Sequence, residues 1–364
     1  MPLTNFASLT NEQLTIWQRD TWSAARNYSF VSRFVGTSEN SMIQRITDLT
    51  KTKKGARAVM TLVNDLEGDG VAGDSTLEGN EEALTSGDQV INIDQLRHGN
   101  RHEGMMSDQR SVVRFREQSR NKLAYWLGDR IDQMAFLALS GVAFTFNNDG
   151  TARTGSNLPQ LEFAGDVVAP STNRHFYWDG AGSALAAGDT SAVENGDTPE
   201  WNTFVEVRAK LRRELVKPIR GGQGQELYNV FMSPEALKAL KKDTVFQAML
   251  RDAAQRGPAN PLFKIPPVYF IDGFAIYEHN HVFRDTDWGA GANVAGSAVL
   301  FCGSQALGIA DIGQARWVEK EFDYENSPGI AYGKIFGMLK PQFRAPVTKT
   351  TEDFGVMRID VSHV

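Results

Sequence analysis

Two segments in the first third of the chain alternate between polar and apolar residues. RAVMTLVNDL at 57–66 is rich in β-branched and aliphatic side chains, and DQVINIDQL at 88–96 alternates along its length. A period of two is typical of a strand with one buried face. The residues between them, which begin NDLEGDGVAGDSTLEG at 64–79, are acidic and glycine-rich. The pattern therefore predicts a long exposed hairpin.

A helical period follows the hairpin. From Ser107 or Asp108, either of which is a suitable N-cap, apolar residues recur at helical spacing until Gly141 ends the run. The stripe predicts one helix over 107–140, about 33 residues and about 50 Å long. Helices of compact domains are on average far shorter, so we expect this helix to act as a strut.

The rest of the chain mixes helices and strands. Ser233 followed by Pro234 predicts a helix N-terminus, and about 50 residues at the C-terminal end alternate steadily in polarity, as β-structure does. Residues 147–202, by contrast, are poor in large aliphatic side chains and rich in Gly, Ala, Asp, Thr and Asn. That composition predicts surface loops or an insertion rather than core. The mixture indicates an α+β fold with β-structure toward the C-terminus.

Composition narrows the classes of protein that fit. The 364 residues are 41% hydrophobic and 23% charged, which is ordinary for a globular protein. The single cysteine, Cys302, lies in the apolar run SAVLFCG, where a buried and inert thiol is expected. No stretch approaches the roughly 18 apolar residues of a membrane span, and the first residues do not resemble a signal segment. We therefore expect a protein made and kept in the cytoplasm.

The charge is unevenly distributed. The net charge is −6, and residues 58–96 contain nine acids but neither Lys nor Arg. The acidity therefore belongs to the predicted hairpin, while the residues that follow it and the first half of the predicted helix are basic. A chain with a negative balance is not expected to bind nucleic acid through a general electrostatic footprint.

Three segments resemble chemical sites, and each lacks part of its pattern. The hairpin tip has the acid spacing of a calcium loop, but the twelfth position is Thr76 and strands flank it. IRGGQGQE at 219–226 follows a helix and leads into a strand, the reverse of a phosphate cradle. YEHNH at 277–281 places two histidines on one strand face without further zinc ligands at a recognisable spacing. We expect no cofactor, metal or catalytic residue, and the alternative is a nucleotide- or metal-dependent enzyme that uses 219–226 or 277–281.

The order of these features resembles the major capsid proteins of tailed bacteriophages, whose Johnson fold is shared with the herpesvirus capsid floor. The sequence is most similar to the branch that includes the N4-like podophages. The phrases that carry the resemblance are structural, and their common order matters more than any one of them: MSDQRSVVRFREQSRNKLAYWLGDRIDQMAFLALSG (106–141), FMSPEALKALKKD (231–243), IDGFAIYEHNHV (271–282), VLFCGSQALGIA (299–310) and FDYENSPGIAYGKIFGMLKPQF (322–343).

The resemblance implies a division of the chain into five parts. These are an N-terminal arm at 1–57, an extended acidic loop at 58–106, the spine helix of a peripheral domain at 107–141, an axial domain at 142–297, and a β-rich return of the peripheral domain at 298–364. The stretch at 147–202 departs from the family pattern and is expected to be an insertion in the axial domain.

The resemblance also implies a structural role and a set of partners. Copies of the chain are expected to form pentamers and hexamers of an icosahedral head, which encloses double-stranded DNA without sequence-specific binding. Assembly is expected in the bacterial cytoplasm, with scaffolding, portal and decoration proteins as further partners. Since the N-terminal segment has no long charged helix, a scaffold would be a separate protein or absent. A phage structural protein of lower copy number is the other alternative.

The expected contacts between subunits join the acidic loop to basic residues or aromatic arm residues of a neighbour. Complementary charge would fix register and partner choice more than affinity, and like charges would keep loops apart. The alternative is that the acids only keep the hairpin soluble. Reversing Glu78, Glu81 and Glu82 to Lys is predicted to block assembly without unfolding the subunit. The contact residues are expected to be Asp65, Glu67, Asp69, Asp74, Glu78, Glu81, Glu82, Arg97, Arg101, Arg110, Arg114, Arg116, Arg120, Trp17 and Trp22.

Overall fold

A computed structural model describes residues 21, 24–25, 28–47, 55–63, 66, 68–82, 86–106, 115–221, 224–254, 268–345 and 347–363. Helices with described bounds are α1 (Phe115–Ser140), α2 (Trp201–Arg213), α3 (Pro234–Lys242) and α4 (Thr244–Ala254). The strands are β1 (Val35–Gly36), β2 (Ile43–Ile46), β3 (Arg57–Val63), β4 (Ser86–Asn92), β5 (Asp94–Arg101), β6 (His175–Asp179), β7 (Ala184–Ala187), β8 (Ile219–Arg220), β9 (Glu226–Met232), β10 (Val268–Ile271), β11 (Phe274–Glu278), β12 (Arg284–Trp288), β13 (Val294–Cys302), β14 (Leu307–Asp311), β15 (Arg316–Phe322), β16 (Ser327–Leu339), β17 (Gln342–Arg344), β18 (Thr351–Asp353) and β19 (Val356–Ser362).

The larger sheet has nine strands in the order β10-β11-β9-β13-β19-β6-β7, with β12 beside β13 and β8 beside β9. It is mixed, because β9 pairs in parallel with β11 and β19 in parallel with β6. Helices α2, α3 and α4 cover one face, where Phe204, Leu240 and Phe246 are buried against side chains such as Val299 and Ile359. Ser233 caps α3 by accepting a hydrogen bond from the backbone N–H of Ala236, as its sequence predicts.

The smaller sheet has six strands, in the order β1-β2-β14-β16-β15, with β5 also paired to β16. The long strand β16 is its centre: β15 and β14 pair along it, and β5 pairs with Gly329 to Phe336. Helix α1 lies against one face, where Leu123 and Leu127 pack on Trp317 and Tyr332. We call this the helix face of the six-stranded sheet, and the opposite surface the far face.

Helix α1 joins the two sheets into one core. Residues 134–140 are all buried, in a cluster that contains Phe231 and Leu300 of the nine-stranded sheet and Leu307 and Phe336 of the six-stranded sheet. The helix ends where the sequence predicts: Gly141 has φ +67°, a conformation that glycine adopts without strain. The 26 described residues span about 39 Å, and the predicted start at 107–114 lies outside the described residues.

The stretch at 147–202, for which composition predicts surface loops or an insertion rather than core, contributes to the core. Strands β6 and β7 of this stretch extend the nine-stranded sheet, and Trp178 and Phe163 are fully buried. The stretch has few aliphatic residues, but its aromatic residues point inward at alternate positions of β6. A few large rings bury enough apolar surface to hold a strand, which composition averaged over the whole stretch conceals.

Two of the expected domain boundaries lie close to sheet elements. The boundary between 142–297 and 298–364 falls inside β13, and β19 pairs with β13, so both strands belong to the nine-stranded sheet. The expected extended loop at 58–106 includes β5, which is a strand of the six-stranded sheet. The division into five parts stays a prediction.

Candidate assembly surfaces

The acidic hairpin is built from β3 and β4, which pair antiparallel from Arg57 with Asn92 to Val63 with Ser86. One side of the hairpin is buried on its own chain. There Met60 and Ile91 pack on Ala310 and Leu339 of the six-stranded sheet, at one end of its far face. The hairpin is therefore fixed at its base, and its tip begins beyond the last strand pair.

The other side of the hairpin carries apolar residues in solvent. Val59 and Val90 are direct cross-strand partners and each is 43% exposed. At the tip, Leu66 and Leu77 are 62% and 58% exposed. An exposed apolar set on a projecting hairpin is typical of a surface that another chain covers.

The acids of the tip fall into two groups. Glu81 and Glu82 hold the loop together, since Glu81 accepts from the N–H of Gly79 and Glu82 from that of Gly68, both at 2.7 Å. Asp69, Asp74 and Glu78 are exposed and form no hydrogen bond or ion pair with the part of the chain that the structure describes. The predicted contact residues Asp65 and Glu67 lie outside the described residues.

The predicted basic residues do not form one strip. The start of α1 lies against β5, where the side-chain amide of Asn100 donates to Ser119 Oγ at 2.8 Å. Arg116 of α1 forms an ion pair with Glu319 on the helix face. Arg97 and Arg101 of β5 project instead from the far face, because successive strand residues point to opposite sides.

The remaining predicted contact residues are less informative. Arg120 lies on α1 with its Nε 3.4 Å from Asn121 Oδ1. Arg110, Arg114, Trp17 and Trp22 lie outside the described residues.

Sequence reasoning missed two basic residues of the far face, Arg316 and Lys320 of β15. Both are exposed, as is Val318 between them, while Trp317 is buried on the helix face. The signal was present in the alternation of RWVEKEF, but the sequence could not show that β15 and β5 lie on either side of β16.

Residues 29–31 are anchored to α1 by a buried carboxylate. Asp132 accepts from Ser29 Oγ at 2.6 Å, from the N–H of Phe30 at 2.7 Å and from the N–H of Val31 at 3.1 Å. Burial raises the pKa of Asp132, although these three hydrogen bonds oppose the rise. The contact joins the N-terminal segment to the helix that connects both sheets.

The histidines of YEHNH belong to this anchor. The ring of His279 lies between Phe30 and Phe136, with ring centroids 4.5 and 4.8 Å away, and burial lowers its pKa to about 4. His281 Nε2 lies 2.7 Å from Asp129 Oδ1, and this hydrogen bond lowers the pKa of Asp129. Both imidazoles thus have structural partners, and no metal-ligand cluster occurs among the described residues.

The described residues at the two ends of the segment 219–226 are paired strands. Ile219 pairs with Leu227 and Arg220 with Glu226, and the backbone of Arg220 exchanges two hydrogen bonds with Asn40. Cys302 is fully buried, and burial raises its thiol pKa. Among the described residues, no helix has both the length and the apolar character to cross a membrane.

Comparison with known proteins agrees with this architecture. The phage capsid protein family matches residues 5–364. The major capsid protein of Pseudomonas phage KPP25 is 50% identical over 367 residues, covering 99% of this chain and 97% of that protein. Among solved structures, the capsid of Ralstonia phage GP4 superposes with a TM-score of 0.76 at 28% identity, covering 92% of this chain and 91% of that one.

A more distant structure supports the fold alone. The capsid asymmetric unit of cyanophage Pam1 has a TM-score of 0.69 at 18% identity, with 100% of this chain and 96% of that chain covered. The α+β fold and the resemblance noted in the sequence are confirmed, and the alternatives of an enzyme or a lower-copy structural protein have no support. The chain belongs to the phage capsid protein family and is a major capsid protein, a structural component of a virion.

Proposed function

We propose that copies of this chain assemble through their acidic hairpins into pentamers and hexamers of a closed icosahedral head that encloses double-stranded DNA. The observation that carries the proposal is the hairpin itself. Its base is packed on its own sheet through Met60 and Ile91, while its tip presents exposed leucines and acids that have no partner among the described residues. Such a hairpin supplies a rigid arm with a free end, as a contact between neighbouring subunits requires.

Charge gives this contact its selectivity. Asp69, Asp74 and Glu78 repel the tips of other hairpins and favour a basic surface on a neighbour. Electrostatic complementarity of this kind fixes register and speeds encounter more than it adds affinity. The net charge of −6 is also consistent with a capsid wall that encloses DNA without binding it tightly.

The proposed setting follows from the same role. Assembly takes place in the bacterial cytoplasm, with a separate scaffolding protein or none, and with portal and decoration proteins as partners of the finished head. In this proposal the six-stranded sheet and α1 form a peripheral domain, and most of the nine-stranded sheet forms an axial domain.

The test reverses the acids that have no partner in their own chain. The triple change of Glu78, Glu81 and Glu82 is less suitable than the sequence indicates, because Glu81 and Glu82 bond the backbone of the loop. The better variant carries Asp69→Lys, Asp74→Lys and Glu78→Lys. We expect soluble, folded subunits that no longer form shells, as measured by light scattering and negative-stain microscopy.

A matched control separates the effect of charge at the hairpin tip from the effect of the total charge of the subunit. Glu206→Lys, Asp252→Lys and Asp287→Lys change three exposed acids outside the hairpin by the same total charge. This variant is expected to form normal shells. Normal shells from the hairpin variant would contradict the role of the acidic tip, and wild-type subunits that never form rings or shells, even with lysate of infected cells, would contradict assembly itself.

A further inference from the structure

A cavity of about 150 Å³ lies where three parts of the chain meet. Its walls come from residues 29–37 of the N-terminal segment, from Ile131 of α1, and from side chains on the helix face of β2, β14 and β16. An apolar cavity of this volume accommodates a single benzene ring. The cavity is therefore large enough for a small organic molecule.

Most of the wall is apolar. Arg45 of β2 pairs with Ile309 of β14, which pairs with Met338 of β16, so the three side chains stand in one row on the same face. The apolar residues of the wall are Val31, Val35, Ile131, Ile309, Phe336 and Met338. The body of a bound molecule must therefore be apolar, because a polar group against these side chains would lose its hydrogen bonds with water.

One end of the cavity is charged. Asp311 Oδ2 accepts from Arg45 Nη2 at 2.8 Å. Asp311 Oδ1 accepts from Lys334 Nζ at 2.9 Å and from the N–H of Gly313 at 3.0 Å. The Lys334 side chain is only 5% exposed, whereas that of Arg45 is 37% exposed and lies near the exposed Thr37. The charged end is thus also the end that reaches solvent.

Arg45 has a donor without an acceptor at this end. Its Nη2 bonds Asp311, but its Nε–H is buried and has no hydrogen-bond partner among the described residues. Both oxygens of Asp311 already accept hydrogen bonds from other groups. A buried donor left without an acceptor is unfavourable, and such a group in a folded protein indicates a bound partner. The planar guanidinium is the side chain that best matches the geometry of a carboxylate.

We propose that this cavity binds a small carboxylic acid anion with a compact apolar body, such as an aryl or branched-chain carboxylate. The carboxylate accepts from Arg45 Nε at the charged end, and the body lies against Phe336 and Met338. A neutral hydrocarbon would leave the Nε–H without an acceptor, and inorganic phosphate would leave the apolar wall without a partner. The site goes beyond the assembly contact and does not rest on it.

A ligand here would connect the N-terminal segment to both α1 and the six-stranded sheet. Residues 29–31 are already held to α1 by Asp132, and Val35 pairs with Ile43 of β2. The ligand adds contacts from the same segment to β14 and β16. Because a molecule that binds only the folded chain stabilises it by mass action, the site couples the attachment of this segment to the concentration of a small acid.

The first test uses benzoate as the probe and the full-length subunit as the target. A ligand of this size is expected to bind with a Kd on the order of 0.1–1 mM, as measured by titration calorimetry. At about ten to a hundred times the Kd, benzoate should raise the Tm of the subunit by about 2–4 °C. Benzamide has the same shape without the charge, so we expect it to bind about tenfold more weakly or less.

Three variants distinguish recognition of the carboxylate from filling of the cavity. Arg45→Gln should weaken benzoate binding by about tenfold and leave benzamide binding unchanged, because only the charged ligand depends on the guanidinium. Ile131→Phe places a larger side chain in the cavity and should remove binding of both ligands. Arg316→Gln, which changes an exposed arginine on the far face of the same sheet, should bind both ligands as the wild type does. Circular dichroism checks that each variant is folded.

A comparison of free subunits with assembled shells identifies the source of the carboxylate. Equilibrium dialysis with radiolabelled benzoate measures both forms. Equal binding would show that a free acid occupies the site throughout assembly. Binding to subunits but not to shells would show that a side-chain carboxylate of another chain takes the same place in the shell, with the same partner in Arg45.

The result that would overturn the site is the absence of benzoate binding to subunits at about 10 mM, well above the expected Kd. Benzoate affinity that is the same in the wild type, Arg45→Gln and Ile131→Phe would also overturn it. Neither result would affect the proposed function, because shell formation is measured without benzoate. Conversely, chains that fail to form shells would leave the binding measurements on free subunits intact.

Discussion

Two regions of this subunit treat charge in opposite ways. At Lys340 and Asp353 both side chains are 1% exposed and their charges meet at 2.8 Å within the chain. At the hairpin tip, residues such as Asp74 and Glu78 are exposed and have no oppositely charged partner among the described residues. The first arrangement fixes the fold of one subunit, and the second leaves interactions to be completed by another copy. Mutations in the two regions should therefore separate stability from assembly.

The largest effect on stability is expected at the buried ion pair. Asp353 accepts from Lys340 Nζ and Gln342 Nε2, each at 2.8 Å, and burial lowers the pKa of Lys340. Asp353→Ala leaves a buried ammonium without a partner, which costs about 3–5 kcal/mol of unfolding free energy. Denaturant unfolding of the subunit measures this loss.

The control for this prediction replaces both charges. Lys340→Met with Asp353→Leu removes the ion pair without leaving an unpaired charge, so its loss should be much smaller than that of Asp353→Ala. Equal losses in the two variants would show that packing volume, rather than charge pairing, holds this site.

A smaller, pH-dependent effect is expected at His279. Burial lowers the pKa of His279 in the folded state to about 4 from the ordinary value of 6.5, with the nearby His281 and Arg33 acting in the same direction and Asp129 opposing. Between these two pH values the unfolded chain binds a proton that the folded chain does not. Stability therefore falls as the pH drops from 6.5 to 4, by up to about 3 kcal/mol.

His279→Phe keeps an aromatic ring between Phe30 and Phe136 but removes the titration. Unfolding curves measured at several pH values should show a shallower acid dependence for this variant than for the wild type. Asp132, whose pKa is raised by burial, acts in the opposite direction in both proteins and cancels in the comparison. Parallel pH profiles would show that His279 does not contribute.

The anchor of the N-terminal segment should give a loss of about 1–3 kcal/mol. Asp132→Ala removes the acceptor for Ser29 and for two backbone N–H groups, and the relief of burying a carboxylate offsets part of the cost. In limited proteolysis, the Asp132→Ala chain should then be cleaved near residue 30 faster than the wild type. Asp132→Asn keeps one acceptor oxygen, so its unfolding free energy and its cleavage rate should lie between those of the wild type and of Asp132→Ala. Cleavage of Asp132→Ala at the wild-type rate would contradict an anchoring role.

The elements that the sequence predicted correctly depend on local signals. The hairpin follows from alternation in two short segments, and the end of α1 follows from Gly141. The contribution of 147–202 to the core was not visible in the composition, because single aromatic residues such as Trp178 decide its burial.

Of the exposed charged surfaces, the sequence revealed the acidic hairpin tip but not the arrangement of the basic residues on the six-stranded sheet. The acids of the tip are adjacent in sequence, so their cluster is visible at once. Arg97 of β5 and Arg316 of β15, by contrast, lie on one face of the sheet only because both strands pair with β16. Arg97 and Arg116 looked like one basic strip, but the strand and the helix direct them to opposite faces of the sheet.

The smallest effect on subunit stability is expected from added salt. Salt should also distinguish most clearly the exposed charges of the hairpin tip from the buried ion pair. Raising the ionic strength from about 0.05 M to about 0.5 M screens exposed charges strongly and buried pairs much less. Subunit unfolding free energy should therefore change by less than about 0.5 kcal/mol, whereas the rate of shell formation should fall several-fold, because only the assembly contact depends on exposed charge. Asp74→Asn with Glu78→Gln should flatten the salt dependence of assembly without altering that of unfolding. An assembly rate that responds to salt equally in the wild type and this variant would place the charge-dependent contact elsewhere on the subunit.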